Sequence, residues 1–204
     1  MTDTRATAST RKPAGEIRSA IVDATIRIIG REGVTAVTHR AIADEAGVSL
    51  SSTTYHFASK DEIVGAALER VAELEIASAQ TDAALFAARD DVTDPDTFAG
   101  LLLDWLEPQV RGERELVARA GYHLALEAGY RPELRAIHRH WSAAVLRIAE
   151  DVLRLAGSAE PVRDARILAT TIDGLRLEQL TDPREDFRAL ALPLLERLAR
   201  VLTA

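Results

Sequence analysis

Residues 38–63 of the chain read THRAIADEAGVSLSSTTYHFASKDEI. The first nine have the marks of a short helix. Thr38 is a good N-cap, Ile42 and Ala46 share a face four residues apart, and Gly47 stops the run. Ser49 can then cap a second helix over 50–56. That helix is made of weak formers, Ser51, Ser52, Thr53 and Thr54, so it must be held by packing rather than by propensity. With Thr53, His56 and Phe57 (i, i+3, i+4) turned inward, Leu50, Ser51, Ser52, Thr54 and Tyr55 are left outward. Ser59 and Glu62 have the S-x-x-E spacing of a capping box, so another helix starts near Lys60. Ile63, Ala67, Val71 and Leu74 continue its apolar face.

Two short helices joined across a glycine turn fit a helix-turn-helix, whose second helix enters the DNA major groove while the first braces it. Small outward side chains allow close approach to the groove floor. Hydroxyls can meet base edges or phosphates, and Leu50 can touch a thymine methyl. Tyr55 and Lys60 suit phosphate contacts, as do the amides that open the following helix. By spacing alone, an ordinary helical hairpin with a solvated Ser/Thr face fits equally well.

The fuller pattern resembles a known family. Thr38-x-x-x-Ile42-Ala43-x-x-Ala46-Gly47-Val48-Ser49, followed by Tyr55-x-Phe57-x-Ser59-Lys60-x-x-Ile63, is similar to the N-terminal domain of TetR-family transcriptional regulators. The likeness covers roughly residues 16–63, about a quarter of the chain. It departs at Thr54, where the family usually has tyrosine, and at Ser51, often glycine; Tyr55 then becomes the candidate for the phosphate contact. The resemblance implies a DNA-facing set of Thr38, Arg40, Ser49, Leu50, Ser51, Ser52, Thr54, Tyr55, His56 and Lys60. It also implies a repressor acting as a homodimer of all-helical subunits on a pseudo-palindromic operator in double-stranded DNA, released by a small-molecule ligand in the C-terminal domain.

The rest of the chain accords with an all-α fold. It has 204 residues, 47% hydrophobic, enough for a sizeable core. The formal net charge is −7. Residues 1–60 hold eight Lys/Arg against six Asp/Glu, and residues 61–204 seventeen against twenty-six, so only the N-terminal part is not repelled by a polyanion. There is no cysteine, which excludes disulfides, thiolate metal sites and cysteine catalysis. No apolar run approaches the roughly 20 residues of a membrane span, and a cytoplasmic protein is expected. The polar residues 1–15 read as a disordered arm, 16–60 as the DNA-binding domain and 61–204 as a ligand-binding and dimerisation domain.

Ile17, Ala20, Ile21, Ala24 and Ile28 stripe a first helix, ended by Gly33 in a left-handed cap, with Val34 and Val37 as core beneath the connection. Asp94-Pro95, Arg131-Pro132, Glu160-Pro161 and Asp182-Pro183 place helix starts. Helices are expected near 95–110, 113–128, 132–156, 161–181 and 183–202, ended or kinked by Pro108 and Pro193; 80–94 is ambiguous. In the last helix Phe187, Leu190, Ala191, Leu194, Leu198 and Val201 form one stripe and Leu192, Leu195 and Leu202 another, more than one buried face requires. With Leu168, Ile172 and Leu175 and the small Thr170, Thr171 and Gly174 on 161–181, this makes a hairpin suited to a two-fold four-helix interface. Burial within one subunit is the alternative.

An inducer site needs an apolar cavity with a few polar anchors. Trp105, Tyr122, Tyr130 and Trp141 cluster in sequence near His123, Leu126, Glu127 and His138. His123 and Glu127 share a face, as do His138 and Trp141. Ile172, Asp173 and Arg176 stand on the helix that often borders the pocket in the family. Each ring and histidine also fits an ordinary core, surface or capping role. His138 and His140, two apart, share no helix face, so no metal site is expected. No phosphate loop, nucleophile elbow or other cofactor motif appears, leaving a regulator controlled by a protein partner, or by no ligand, as the alternative to a ligand-responsive one.

Overall fold

Helix starts follow the side chains that cap them. In the computed structural model, which describes residues 13–112 and 114–203, the oxygens of Thr38, Ser49, Ser59 and Asp94 accept from the backbone N–H of Ala41 (3.1 Å), Ser52 (3.1 Å), Glu62 (3.2 Å) and Thr97 (2.8 Å). Among the described residues the chain forms α1 (Ala14–Glu32), a 3₁₀ turn (Val34–Ala36), α2 (His39–Ala46), α3 (Leu50–His56), α4 (Lys60–Ala87), α5 (Pro95–Arg111), α6 (Glu115–Tyr130), α7 (Pro132–Leu155), α8 (Pro161–Thr181) and α9 (Phe187–Leu202). The fold is all-α. Of the expected N-terminal arm, residues 1–12 lie outside the described residues, and Ala14 and Gly15 already belong to α1.

Several boundaries differ from the sequence reading, each for a local reason. Gly33 has φ 81° but ψ 173°, so it passes the chain into the 3₁₀ turn at Val34 rather than closing a left-handed cap; Gly47, at φ 65° and ψ 37°, is the left-handed one. The ambiguous 80–94 stretch is helical through Ala87. The last helix begins at Phe187, because the Gln179 amide bridges the backbone N and O of Arg184 at 3.1 Å each and holds the Asp182-Pro183 segment as a turn. Pro108 and Pro193 do not end their helices. Each removes one donor, to the carbonyls of Asp104 and Ala189, which lie on the solvent side where water can serve them.

Two clusters of apolar side chains fill the interior. The first gathers Ile21, Ile28 and Ile29 of α1, Ile42 of α2, Phe57 and the head of α4 (Ile63, Leu68, Val71), and it is closed by Ala120, Leu124 and Ala128 of α6 and Leu134 of α7. The second joins the tail of α4 to α5, the end of α7, α8 and α9, around Phe98, Leu103, Leu106, Leu153 and Phe187. In α9 the buried row is Phe187, Ala191, Leu195, Ala199 and Leu202, while Leu194 and Val201 are exposed. No helix among the described residues is long and apolar enough to cross a membrane.

Candidate functional site

Helix α3 is short and polar, and it is fixed from within. Thr53 is fully buried; its hydroxyl donates to the Leu50 carbonyl at 2.8 Å and lies 3.2 Å from Nδ1 of His39 on α2. Phe57, 1% exposed, plugs the cluster below with the Arg18 guanidinium 4.9 Å from its ring centre. The opposite side is open. Leu50 is 53% and Tyr55 83% exposed, with Ser51 and Thr54 beside them. Ser49 Oγ lies 2.9 Å from Ser51 Oγ and 2.7 Å from Ser52 Oγ, and Thr54 Oγ1 donates to the Ser51 carbonyl at 3.2 Å. These hydroxyls are thus anchored within the helix while keeping lone pairs free to accept, and Tyr55 is the most exposed of the helix's large side chains. His56 is half-buried, its ring edge against Tyr55 at 5.2 Å. Thr38 and Arg40 are exposed at the start of α2, and Lys60 is half-buried at the start of α4. The Glu62 carboxylate reaches back to the N–H of Ala58 at 2.8 Å, which fixes the turn between α3 and α4.

Charge pairs tie this unit together and to the body. Glu45 on α2 accepts from Arg31 (2.5 Å) and Arg27 (2.6 Å) of α1, and those hydrogen bonds, Arg31's first, hold its carboxyl down at about 2. Asp61 of α4 pairs with Arg131, which also donates to Glu127 of α6 at 2.8 Å. Gly30 of α1 is packed so closely on α6 that a methyl there would meet the Leu116 carbonyl, 3.2 Å from its carbon and 3.3 Å from Cα.

A cavity of about 120 Å³ lies between α4, α5, α7 and α8, walled by Phe86, Leu102, Trp105, Ile148, Leu168 and Ile172. It adjoins a larger one of about 310 Å³ that reaches α6 and is lined by Gly121, Tyr122, His138 and Trp141. Glu75, Asp173 and Arg176 border both. Arg176, 8% exposed, has Nη2 3.5 Å from both carboxylate oxygens of Glu75 and Nη1 3.9 Å from Asp173, with its guanidinium 5.4 Å from the centre of the Tyr122 ring. The Tyr122 hydroxyl donates to Asp173 at 3.2 Å; burial, more than any charge, pushes that phenol above its ordinary range. The His138 ring stands edge-on to Trp141 at 5.8 Å, and its buried Nδ1 has no partner among the described residues.

Six of the eight residues proposed from sequence for the pocket line these cavities: Trp105, Tyr122, His138, Trp141, Ile172 and Arg176. His123 and Leu126 do not. The cavity face of α6 is 118, 121, 122 and 125; His123 turns instead toward Gly33, and Leu126 is 69% exposed. Sequence reasoning missed Glu75, Asp82 and Gln109. The usable signal was a pair of acids seven residues apart on a face of α4 that otherwise holds Ser78, Ala79, Ala83 and Phe86.

Residues 21–67 match the family model described as bacterial regulatory proteins, tetR family, and residues 93–201 match tetracyclin repressor-like, C-terminal domain. The chain is 31% identical over 175 residues to the HTH-type transcriptional regulator BetI of Rhizobium meliloti (strain 1021), covering 79% of this chain and 77% of that protein. It is 25% identical over 173 residues to the HTH-type nicotine-responsive transcriptional repressor HdnoR of Paenarthrobacter nicotinovorans, covering 82% and 86%. Among solved structures, the multidrug binding protein EbrR complexed with ethidium superposes with a TM-score of 0.62 at 33% identity, over 90% of this chain and 98% of that one.

Proposed function

Because the chain belongs to the TetR family of transcriptional regulators, which are not enzymes, we propose that it is a repressor of the ligand-released kind, acting in the cytoplasm. It binds a pseudo-palindromic operator as a homodimer and lets go when a small molecule enters the cavity bounded by α4, α5, α7 and α8. One observation carries the reading: α3 is a capped helix whose inner side is locked by Thr53 and whose outer side presents Leu50, Ser51, Thr54 and Tyr55 to solvent. Tyr55 and Lys60 position the helix on phosphates, while Leu50, Ser51 and Thr54 meet base edges. Ser52 and His56 of α3, its cap Ser49, and Thr38 and Arg40 at the start of α2 support that contact. The ligand reading draws on the apolar cavity with its buried polar anchors, and on two similar proteins, one named as nicotine-responsive and one holding ethidium. Pairing through α8 and α9 is supported by the apolar side chains those helices leave in solvent, among them Ile167, Leu177, Leu194 and Val201.

The test is an operator selected from random duplex DNA, followed by binding titrations over a range of salt. Tyr55→Ala and Lys60→Ala each weaken binding across all sequences, and Lys60→Ala, which removes a charge, also makes the salt slope shallower by about one unit. If both variants bind with the parent's affinity and slope, α3 is not the recognition helix.

A further inference from the structure

Apart from the Arg176 guanidinium, the polar side chains that line the cavity bring acceptor oxygens to it. Glu75 and Asp82 stand seven residues apart on the face of α4 that lines it. Gln109, 2% exposed on α5, lines it too. Its Nε2 donates to the Trp105 carbonyl at 2.9 Å, which fixes which end of the amide is oxygen. That oxygen, Oε1, is buried and has no partner among the described residues. A buried acceptor left unpaired keeps its full desolvation cost, so a ligand that supplies a donor there relieves a standing penalty.

The charges point the same way. Asp82 is already served by Arg114 at 3.0 Å and Ser78 at 3.2 Å. Glu75, 12% exposed, has only Arg176, at 3.5 Å, and Arg176 is shared with Asp173. The Arg176 Nε has no partner among the described residues. Such a guanidinium is a loosely held counter-ion. An incoming cation can take its place beside Glu75 and leave it to Asp173, on the open side of the helix. An incoming anion would meet three carboxylates and one guanidinium already shared between two of them. The rings of Phe86 and Trp105 in the same walls add faces that attract a cation.

Resting on the ligand-responsive reading above, we infer that the cavity selects an apolar or aromatic organic cation bearing an N–H, a protonated amine whose ammonium sits between the Glu75 carboxylate and Gln109 Oε1. Arg176 acts as the internal cation that the ligand displaces.

The chain's two tryptophans, Trp105 and Trp141, both line the cavities, so quenching of their fluorescence reports entry directly. Three probes of one shape are titrated into the full-length protein at pH 7: 1-naphthylmethylamine, 1-naphthalenemethanol and 1-naphthoic acid. The amine binds at least ten-fold tighter than the alcohol, and the acid weakest. Glu75→Gln lowers affinity for the amine about ten-fold and leaves the alcohol unchanged, while Gln109→Leu lowers affinity for the amine about ten-fold and for the alcohol, which also carries a donor, by less. Should Glu75→Gln fail to fold because Arg176 is stranded, the Glu75→Gln/Arg176→Gln double variant is used and shows the same loss. The inference is overturned if the alcohol or acid binds as well as the amine, if no probe binds, or if the variants keep the parent's preference. Operator binding, measured separately, decides the regulatory reading whichever way the probes fall.

Discussion

Replacing Gly30 by alanine sets two calculable effects against each other. Alanine is favoured over glycine inside a helix by about 1 kcal/mol, which alone would stabilise α1. The added methyl, however, would press into the Leu116 carbonyl of α6. That neighbour is main chain, engaged in its own helical ladder, and has no rotamer through which to escape. Overpacking against such a wall costs about 1–3 kcal/mol, and a rigid wall belongs at the upper end. The net expected is a loss of about 1–2 kcal/mol, a fall in Tm of about 2–8 °C for a chain of this size. Gly100→Ala supplies the control, since Gly100 lies within α5 with nothing within 4 Å of an added methyl; it should raise Tm by about 2–4 °C. Differential scanning calorimetry reads both. Operator affinity at 20 °C, where the Gly30 variant is still folded, should fall as well, because α1 has been wedged away from α6. A Gly30→Ala protein that melts at or above the parent would refute the close approach on which the reasoning stands.

Glu45→Gln tests the link between α1 and α2. The Glu45 carboxyl is held at about 2, below its ordinary 4.5, so its contribution is full above pH 4.5 and fades as pH falls toward 2. With its arginine partners partly in solvent, the variant should lose on the order of 1 kcal/mol at pH 7, and urea melts at descending pH should show the gap to the parent closing below pH 4.5; a gap of constant size would be evidence against the pairing. Phe57→Ala removes a ring that is 1% exposed from the first apolar cluster and should cost about 3–5 kcal/mol; chemical denaturation that shows a loss under 1 kcal/mol would mean the ring is not a core residue.

What could be read from the residues was what acts over three or four positions. Thr38, Ser49, Ser59 and Asp94 cap the helices they announce because a cap bonds an amide two or three residues on, whatever lies elsewhere. The start of α9 was hidden because Gln179, from the preceding helix, holds the Asp182-Pro183 turn. The cavity was half legible. Trp105, Tyr122 and Trp141 were found as scarce rings, but helical spacing says only which residues share a face, not what the face meets, and so His123 and Leu126 were misplaced. Glu75 and Gln109 are brought together by α4 packing near α5, a juxtaposition that no local pattern encodes.

Helix α4 runs unbroken from Lys60 to Ala87 without a proline. Glu75 therefore stands fifteen residues from Lys60, about 22 Å along one stiff rod at 1.5 Å per residue. A rod of that length is a mechanical amplifier. A tilt of about 5° pivoting at Glu75 carries its far end through about 2 Å, more than half the length of a hydrogen bond to a phosphate. Small adjustments around Glu75 would thus reach the head of α4 enlarged and pass to α3 through the short turn that the Glu62 carboxylate fixes.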